Sequence, residues 1–327
     1  MTDGATPRVA VVVSTYNRSR LLPRLVAALE AQQDAPPFRV VLVDNASTDD
    51  TASVLADLAA RTTLDLTVLR QSSNAGPAPA RDAGWRAAQA SYIAFTDDDC
   101  VPEPRWLAEM CEALDSADIV QGKTIPNPAQ VGDLGPFSRT VEVPAMDGYF
   151  QTCNVGYRRD WLQQVDGFDL RFAHSCEDTD LAWRMIDDGA QAVFAAAAVV
   201  CHDVRPSNSW RLMRDAQRWQ DIPLAVRVHP HLRDLLHSRY FWKPSHPVAL
   251  AAAVGALVSV APGRPWRRVA GLALTLPYVK HRLYDAPLPH TGKRRRRLKL
   301  VPAALAVDLA EVAVLAAASV RYRSPVL

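Results

Sequence analysis

Three consecutive aspartates, Asp97, Asp98 and Asp99, follow directly on an apolar run at 92–96 (YIAFT). Carboxylates this close repel one another, so one or more takes up a proton unless a cation compensates them. Oxygen ligands of this kind suit hard divalent ions, Mg2+ or Mn2+, above all beside substrate phosphates. Along an extended segment side chains alternate, which would turn Asp97 and Asp99 to one site and Asp98 elsewhere. The competing reading of the trio is a helix cap or a solvated loop. An ion that bridges phosphates and stabilises a leaving group is the chemistry expected. Asp44, ending the run at 38–44 (FRVVLVD), can accept hydrogen bonds from a base or ribose, or simply cap a turn. Arg81, near a helix start after Gly76, can meet phosphate oxygens through its planar fork, or stand as a surface charge.

The elements that must position these residues follow from hydrophobic periodicity. Residues 8–14 (RVAVVVS) are an unbroken apolar run expected to be a buried strand. Residues 21–33 place Leu22, Leu25, Val26 and Leu29 at helical spacing. A strand is expected at 38–44, then a helix capped by Thr48 or Asp49 that carries Val54, Leu55 and Leu58. A strand at 64–69, a helix at 78–90 and a strand at 92–96 lead to the aspartates. Further strands are expected at 119–124, 152–157 and 192–200, with helices at 159–165 and 177–188 and a loop or flap over 126–148. Strands alternating with helices imply an α/β fold, with a mostly parallel sheet covered on both faces. Ligands in such sheets lie beyond the carboxyl ends of the strands, and Asn17, Asp44 and Asp97 fall on that rim.

Hydrophobic residues make up 49% of the 327 residues and charged ones 22%, which suits a folded chain with one large core or two smaller ones. Cys100, Cys111, Cys153, Cys176 and Cys201 have neither zinc-site nor redox-motif spacing, as expected of free thiols in a reducing compartment. Residues 1–8 lack the features of a secretory signal, so the catalytic region is expected to face the cytoplasm.

After residue 205 the strand pattern stops. The expected division is a sheet domain over 1–205 and a helical, basic and apolar region over 206–327. Residues 209–220 read as a polar helix bearing Trp210 and Trp219. From 264 to 299 there are eleven Lys or Arg against Asp285 alone. With +2 overall, that segment of about +10 leaves about −8 elsewhere and predicts an anionic partner. The apolar runs 248–261 and 269–279 fall short of the roughly twenty residues a spanning helix needs. Residues 301–320 suffice in length but carry Asp308, Glu311 and Ser319 close to one side. With KRRRR at 293–297 upstream, this segment is expected to lie in a membrane interface; packing against the rest of the chain or a subunit, or a true span, are the alternatives.

Taken together, the segments VSTYNR (13–18), VDNASTD (43–49), GPAPARDAG (76–84), FTDDDC (95–100), NVGYRR (154–159), GFD (167–169) and EDTDLAWR (177–184), with His202 and Arg205, resemble the inverting GT-A fold glycosyltransferases of family 2. The resemblance covers roughly residues 8 to 205. It implies a Rossmann-like GT-A fold in which Asp97 and Asp99 stand at the DXD positions, Asp99 as the firmer metal ligand and Asp97 nearer the nucleotide. Thr15 and Asp44 match positions that cradle base and ribose, and Arg81 matches an arginine on the phosphate or base side. Asp178 matches the catalytic base, Glu177 orients it or contacts the sugar, and His202 completes the metal site in some members. Arg205 is a further phosphate contact. Asp82 stands where the family usually has Asn.

The function this implies is metal-dependent, inverting transfer of a hexosyl or deoxyhexosyl group from a nucleotide-diphosphate donor, UDP- or dTDP-linked, to a saccharide or lipid-linked hydroxyl. Mn2+ or Mg2+ is the expected cofactor. The expected donor site comprises Thr15, Asn17, Asp44, Arg81, Asp97 and Asp98; the metal site Asp99, Asp97 and His202; the acceptor side Asn154, Trp210, Arg214 and Trp219. The Gln-Arg-Trp at 217–219 loosely resembles the signature of processive members, but without flanking spans processivity is not expected. The alternatives are a nucleotidyltransferase acting on a sugar phosphate and a non-enzymatic scaffold that binds membrane. No nucleic-acid module is visible; a homo-oligomer is compatible with the pattern. The expected location is the cytoplasm, peripheral on the inner face of the cell membrane.

Overall fold

The computed structural model describes residues 7–286 and 294–327. Residues 1–6, part of the N-terminal expectation, and Lys293, the first of the basic run, lie outside the described residues. The chain forms two compact units: 7–131 with Thr140–Asp203, and Gly132–Arg139 with Val204–Leu327.

The first unit opens with strictly alternating elements: β1 (Val9–Thr15), α1 (Leu22–Glu30), β2 (Phe38–Asp44), α2 (Thr51–Arg61), β3 (Asp65–Arg70), α3 (Pro77–Ala87) and β4 (Tyr92–Thr96). It continues through β5 (Cys100–Pro102), α4 (Trp106–Leu114), β6 (Ile119–Pro126), β7 (Asn154–Arg158), α5 (Arg159–Gln164), α6 (Glu177–Asp187) and β8 (Ala192–His202). These strands form one sheet in the order β3-β2-β1-β4-β7-β6-β8-β5. β1 to β4 are mutually parallel, as are β6 and β8, while β7 and β5 run against their neighbours. Successive side chains of β1 serve opposite faces, as strand geometry requires. Val9, Val11 and Val13 pack with Leu22, Leu25 and Trp106 on one side. Ala10 and Val12 pack with Trp85, Leu181 and Met185 on the other.

Two elements fall outside the expectation. β5 is three residues long and exists through pairing with the end of β8, where Cys100 lies opposite His202. α4 buries Trp106, Leu107, Met110, Cys111 and Leu114 at helical spacing, a signal the sequence does carry. α3 lies so close to the sheet that a Cβ at Gly84 would stand 2.4 Å from Val12 Cγ1; the glycine sets that approach.

The second unit is helical: α7 (Ser209–Asp215), α8 (Ile222–Val228), α9 (Ser245–Val260), α10 (Pro265–Lys280) and α11 (Arg294–Tyr322), with 3-10 turns at Ala216–Asp221 and Pro230–Leu235. The single helix expected at 209–220 is therefore broken into α7 and a 3-10 turn. Pro223, in the first turn of α8, has no N–H, and in a helix continued through it its ring would clash with the Trp219 carbonyl, so α8 starts afresh after the 3-10 turn. α11 is long and apolar enough to cross a membrane by length and composition. Its acids, however, are buried inside this unit. Asp308 meets Arg282, the Tyr278 hydroxyl at 2.6 Å and Ser245 Oγ at 3.1 Å. Glu311 accepts from Lys243 Nζ at 2.7 Å and lies 3.2 Å from His246 Nε2. The polar stripe of α11 thus faces inward and is matched by cations, unlike the solvent-facing stripe of an interfacial helix.

Candidate active site

The rim at the carboxyl ends of β1, β2 and β4 is assembled by short loops that bond to one another. Asn17, in a left-handed conformation (φ 53°), accepts the Thr48 N–H at 2.8 Å and donates its own N–H to Ser47 Oγ at 2.9 Å. Its amide is committed to joining the loops after β1 and β2. Asp44 is buried; its Oδ1 accepts the Ser47 N–H at 2.9 Å. Its Oδ2, also buried, pairs with Arg70 at 3.2 Å and has no hydrogen bond.

The three aspartates leave β4 in a turn closed by the Cys100 N–H to the Asp97 carbonyl at 3.1 Å. The alternation expected of an extended segment does not apply, because a turn rotates successive side chains away from a two-fold repeat. Each carboxylate has a different partner. Asp97 Oδ1 accepts from Arg81 at 2.7 Å. Asp98 Oδ2 accepts the Thr15 hydroxyl at 2.7 Å. Asp99 Oδ1 lies 3.7 Å from His202 Nε2. Burial pushes the Asp98 carboxyl up to about 7; Asp99 and Asp97 add to the rise, and the Thr15 hydroxyl and Arg18 oppose it.

His202 reaches Asp99 because β5 pairs with β8. Its Nδ1 lies 2.8 Å from the Asp203 carbonyl. A carbonyl only accepts, so Nδ1 carries the hydrogen, and in the neutral ring the lone pair is on Nε2, on the Asp99 side. A backbone-oriented imidazole of this kind is the usual arrangement of a metal-binding histidine. Two ligands about 2.1 Å from a shared ion stand roughly 3–3.6 Å apart, close to the Asp99–His202 separation. Ligand atoms of Asp99, Cys100 and His202 all lie within 4.8 Å of one another. The carboxylate and imidazole therefore fit a divalent ion.

Arg81 connects this turn to α6. Buried, it donates from Nη2 to Asp97 and from Nη1 to Glu177 Oε1 at 2.9 Å. Burial disfavours its charge, but Asp97 and Glu177 outweigh it and raise its pKa. Glu177 and Asp178 open α6 after Cys176, itself left-handed at φ 67°. Negative charge at a helix start is favoured by the helix dipole. The helix is held by Thr179 Oγ1 to the Tyr149 carbonyl, Trp183 Nε1 to the Gly148 carbonyl, and Arg184, which bonds Asp180 and the carbonyls of Val165 and Gly167. Asp178 is half-buried and accepts the N–H groups of Thr179 at 2.8 Å and Thr152 at 3.4 Å. Burial raises its proton affinity most, Glu177 raises it further, and Arg81 and the two N–H groups counter them.

The structure thus bonds Thr15 to Asp98, and Arg81 to both Asp97 and Glu177, and sets Asp99 against His202. Asn154 is placed differently from an acceptor contact. Fully buried, its amide accepts Trp106 Nε1 and donates to the carbonyls of Lys123 and Ala198, each within 2.9 Å. A Cβ on Gly122 would overlap it at 2.3 Å, so Asn154 fills the β-bulge of β6. Trp210, Arg214 and Trp219 belong to the second unit, as does Arg205, whose backbone pairs with Arg139. Trp219 Nε1 donates to Glu311 at 3.2 Å. Asp82 receives Trp85 Nε1, Arg86 Nε and the Phe168 N–H; three donors suit a carboxylate where an amide would present its own N–H. Arg24 and Asp203, paired at 2.6 Å, were not marked by any motif, and only the fold reveals them beside His202.

The chain matches the profile of glycosyl transferase family 2 over residues 10–165 and that of glycosyl transferase family group 2 over 92–279. It is 31% identical over 237 residues to the pre-mycofactocin glycosyltransferase of Mycobacterium tuberculosis, a match covering 68% of this chain and 48% of that protein. It is 27% identical over 212 residues to glycosyltransferase AglE of Haloferax volcanii, covering 61% and 68%. The chain spans about half the length of the first of these relatives. In fold it is similar to a mannosyltransferase from Pyrobaculum calidifontis solved with GDP-Man and Mn2+ (TM-score 0.64, 20% identity, 94% of this chain and 88% of that one). The sheet and its flanking helices are of GT-A type. With the second profile matching more than half of the sequence, the chain belongs to glycosyl transferase family group 2.

Proposed function

We propose that the protein transfers a glycosyl group from a nucleoside-diphosphate sugar to an acceptor hydroxyl with inversion at the anomeric carbon. The observation that carries this reading is Arg81, which ties Asp97 of the aspartate turn to Glu177, the chain neighbour of Asp178 at the start of α6. The aspartate turn is thereby held beside the Glu177–Asp178 pair, at the rim where nucleotides bind in parallel sheets. Asp44, at the end of β2, would accept from a base N–H or a ribose hydroxyl through its Oδ2, which has no hydrogen bond, once that buried atom is uncovered. Thr15 holds Asp98, and Asp99 with His202 would hold Mn2+ or Mg2+. An ion held there would offset negative charge on the departing diphosphate.

Asp178 acts as general base. An acceptor hydroxyl is a weak nucleophile until its proton is taken, and a carboxylate with raised proton affinity does this better than an ordinary one. Glu177 supplies part of that rise through its charge. Attack on the face opposite the diphosphate then inverts the centre with no covalent sugar intermediate. The Pyrobaculum complex with GDP-Man and Mn2+ and the family membership support a nucleotide-sugar donor. A saccharide or lipid-linked hydroxyl is the acceptor class.

The test is product formation from a panel of nucleotide sugars and acceptors, comparing wild type with Asp178→Asn. The substitution is expected to lower kcat by about a hundred- to ten-thousandfold, with donor affinity within a few-fold of wild type. Near-normal turnover of the variant would remove Asp178 from this role. Pyrophosphate released from a nucleoside triphosphate and sugar phosphate would instead identify a nucleotidyltransferase.

A further inference from the structure

The strongest unassigned feature is the α9–α10 hairpin of the second unit. Its two helices close on each other through small residues: a Cβ on Gly255 would stand 2.5 Å from the Gly271 carbonyl oxygen, and the reverse holds equally. Their outer faces are uncovered by the second unit. On α9, Leu257 and Val260 are 69% and 80% exposed; on α10, Trp266, Val269, Leu272 and Leu276 are 60%, 69%, 59% and 62% exposed. The α10 residues recur at three- and four-residue steps, one stripe of a helix. An apolar surface this continuous marks an interaction site.

Charge identifies the occupant. From Ser245 to Lys280 there is no Asp or Glu. Arg264, Arg267 and Arg268 stand exposed at the turn, and among the described residues none of the three meets a carboxylate. The first turns of α11 expose Arg295, Arg296 and Lys299 as well. A second copy of this acid-free hairpin offers the arginines no carboxylate. An anionic lipid surface supplies both an apolar layer for the stripe and phosphates for the cations. The hairpin does not suit a span. Its helices of 16 residues are about 24 Å long at 1.5 Å per residue, short of the roughly 30 Å hydrocarbon core.

We infer that the α9–α10 hairpin lies in the interface of an anionic membrane, with Trp266 and the leucines below the headgroups and the arginines at phosphate level. This surface is distinct from α11, whose acids are engaged inside the unit. The inference rests on this surface alone and stands apart from the proposed transfer reaction.

The test is co-sedimentation of the full chain with phosphatidylglycerol-containing vesicles and with phosphatidylcholine vesicles, alongside light scattering without lipid. Wild type is expected to pellet with the anionic vesicles only. Leu257→Ser/Leu272→Ser, at exposed positions, is expected to stay in the supernatant with an unchanged melting temperature. Arg264→Glu/Arg267→Glu/Arg268→Glu is expected to lose on the order of a hundredfold in partitioning. No binding by wild type, or equal binding by the variants, overturns the inference. So does a lipid-free dimer that the leucine variant dissociates, which would make the hairpin a contact between copies.

Discussion

Glu177 and Asp178 are adjacent in the chain but differently engaged: one carboxylate is paired with Arg81, the other rests on two N–H groups. The base acts only when ionised. Because burial and the neighbouring charge of Glu177 raise the Asp178 pKa, turnover should fall on acidification at a pH above the usual aspartate range. Glu177→Gln removes a charge that raises this pKa, so the acidic limb of kcat should move to lower pH, an effect that a purely structural loss would not produce. A limb that stays in place would contradict the coupling. Asp99 and His202 give a separate expectation: His202→Ala should weaken Mn2+ binding by more than the about ten- to a hundredfold that loss of a ligand's orienting partner costs, read by calorimetry. The acidic trio was legible because three carboxylates after an apolar run are chemically unusual. Their partners were not, since the turn at Asp97 replaces the extended backbone on which side-chain alternation depends. The Thr15 and Arg81 bonds join residues 83 and 16 positions away from their partners, separations no local pattern encodes.

Strands and helices of the first unit could be read closely where periodicity is strong. β2 and β4 have the bounds expected, and the valine-rich β1 is buried on both faces. β5 could not be read, because three residues have no period and Cys100–Pro102 is a strand only through β8. That short pairing brings Asp99 to His202, so the least legible element builds the candidate metal pair. Packing of the elements leads to two stability expectations. Gly84→Ala pushes a methyl into Val12 and should cost about 1–3 kcal/mol in urea unfolding. Asn154→Ala strands the Trp106 N–H and two carbonyls in the bulge, at about 1–3 kcal/mol for each group left unsatisfied, and should leave the acceptor KM of surviving folded protein unchanged. A rise in acceptor KM without loss of stability would return Asn154 to the acceptor side.

Across the molecule, charge and hydrophobicity are sorted between regions. The basic bias after residue 264 was visible in composition, and so was the apolar character of the C-terminal third. Which helix shows its apolar face to the outside was not visible, because α11 reads as amphipathic until Arg282 and Lys243 are seen to claim Asp308 and Glu311. Asp308→Asn leaves Arg282 largely buried without its counter-charge and should destabilise the chain by about 3–5 kcal/mol in thermal or urea unfolding. The proposed reaction depends on a metal-assisted donor site at the rim of the first unit. The most direct measurement is calorimetric titration of a panel of nucleoside-diphosphate sugars into wild type and Asp99→Asn, each with Mn2+ and with chelator. At least one donor should bind wild type with Mn2+ and lose most of its affinity both with chelator and in the variant. Binding of every sugar nucleotide that is indifferent to Mn2+ and to Asp99, or no binding at all, would contradict it.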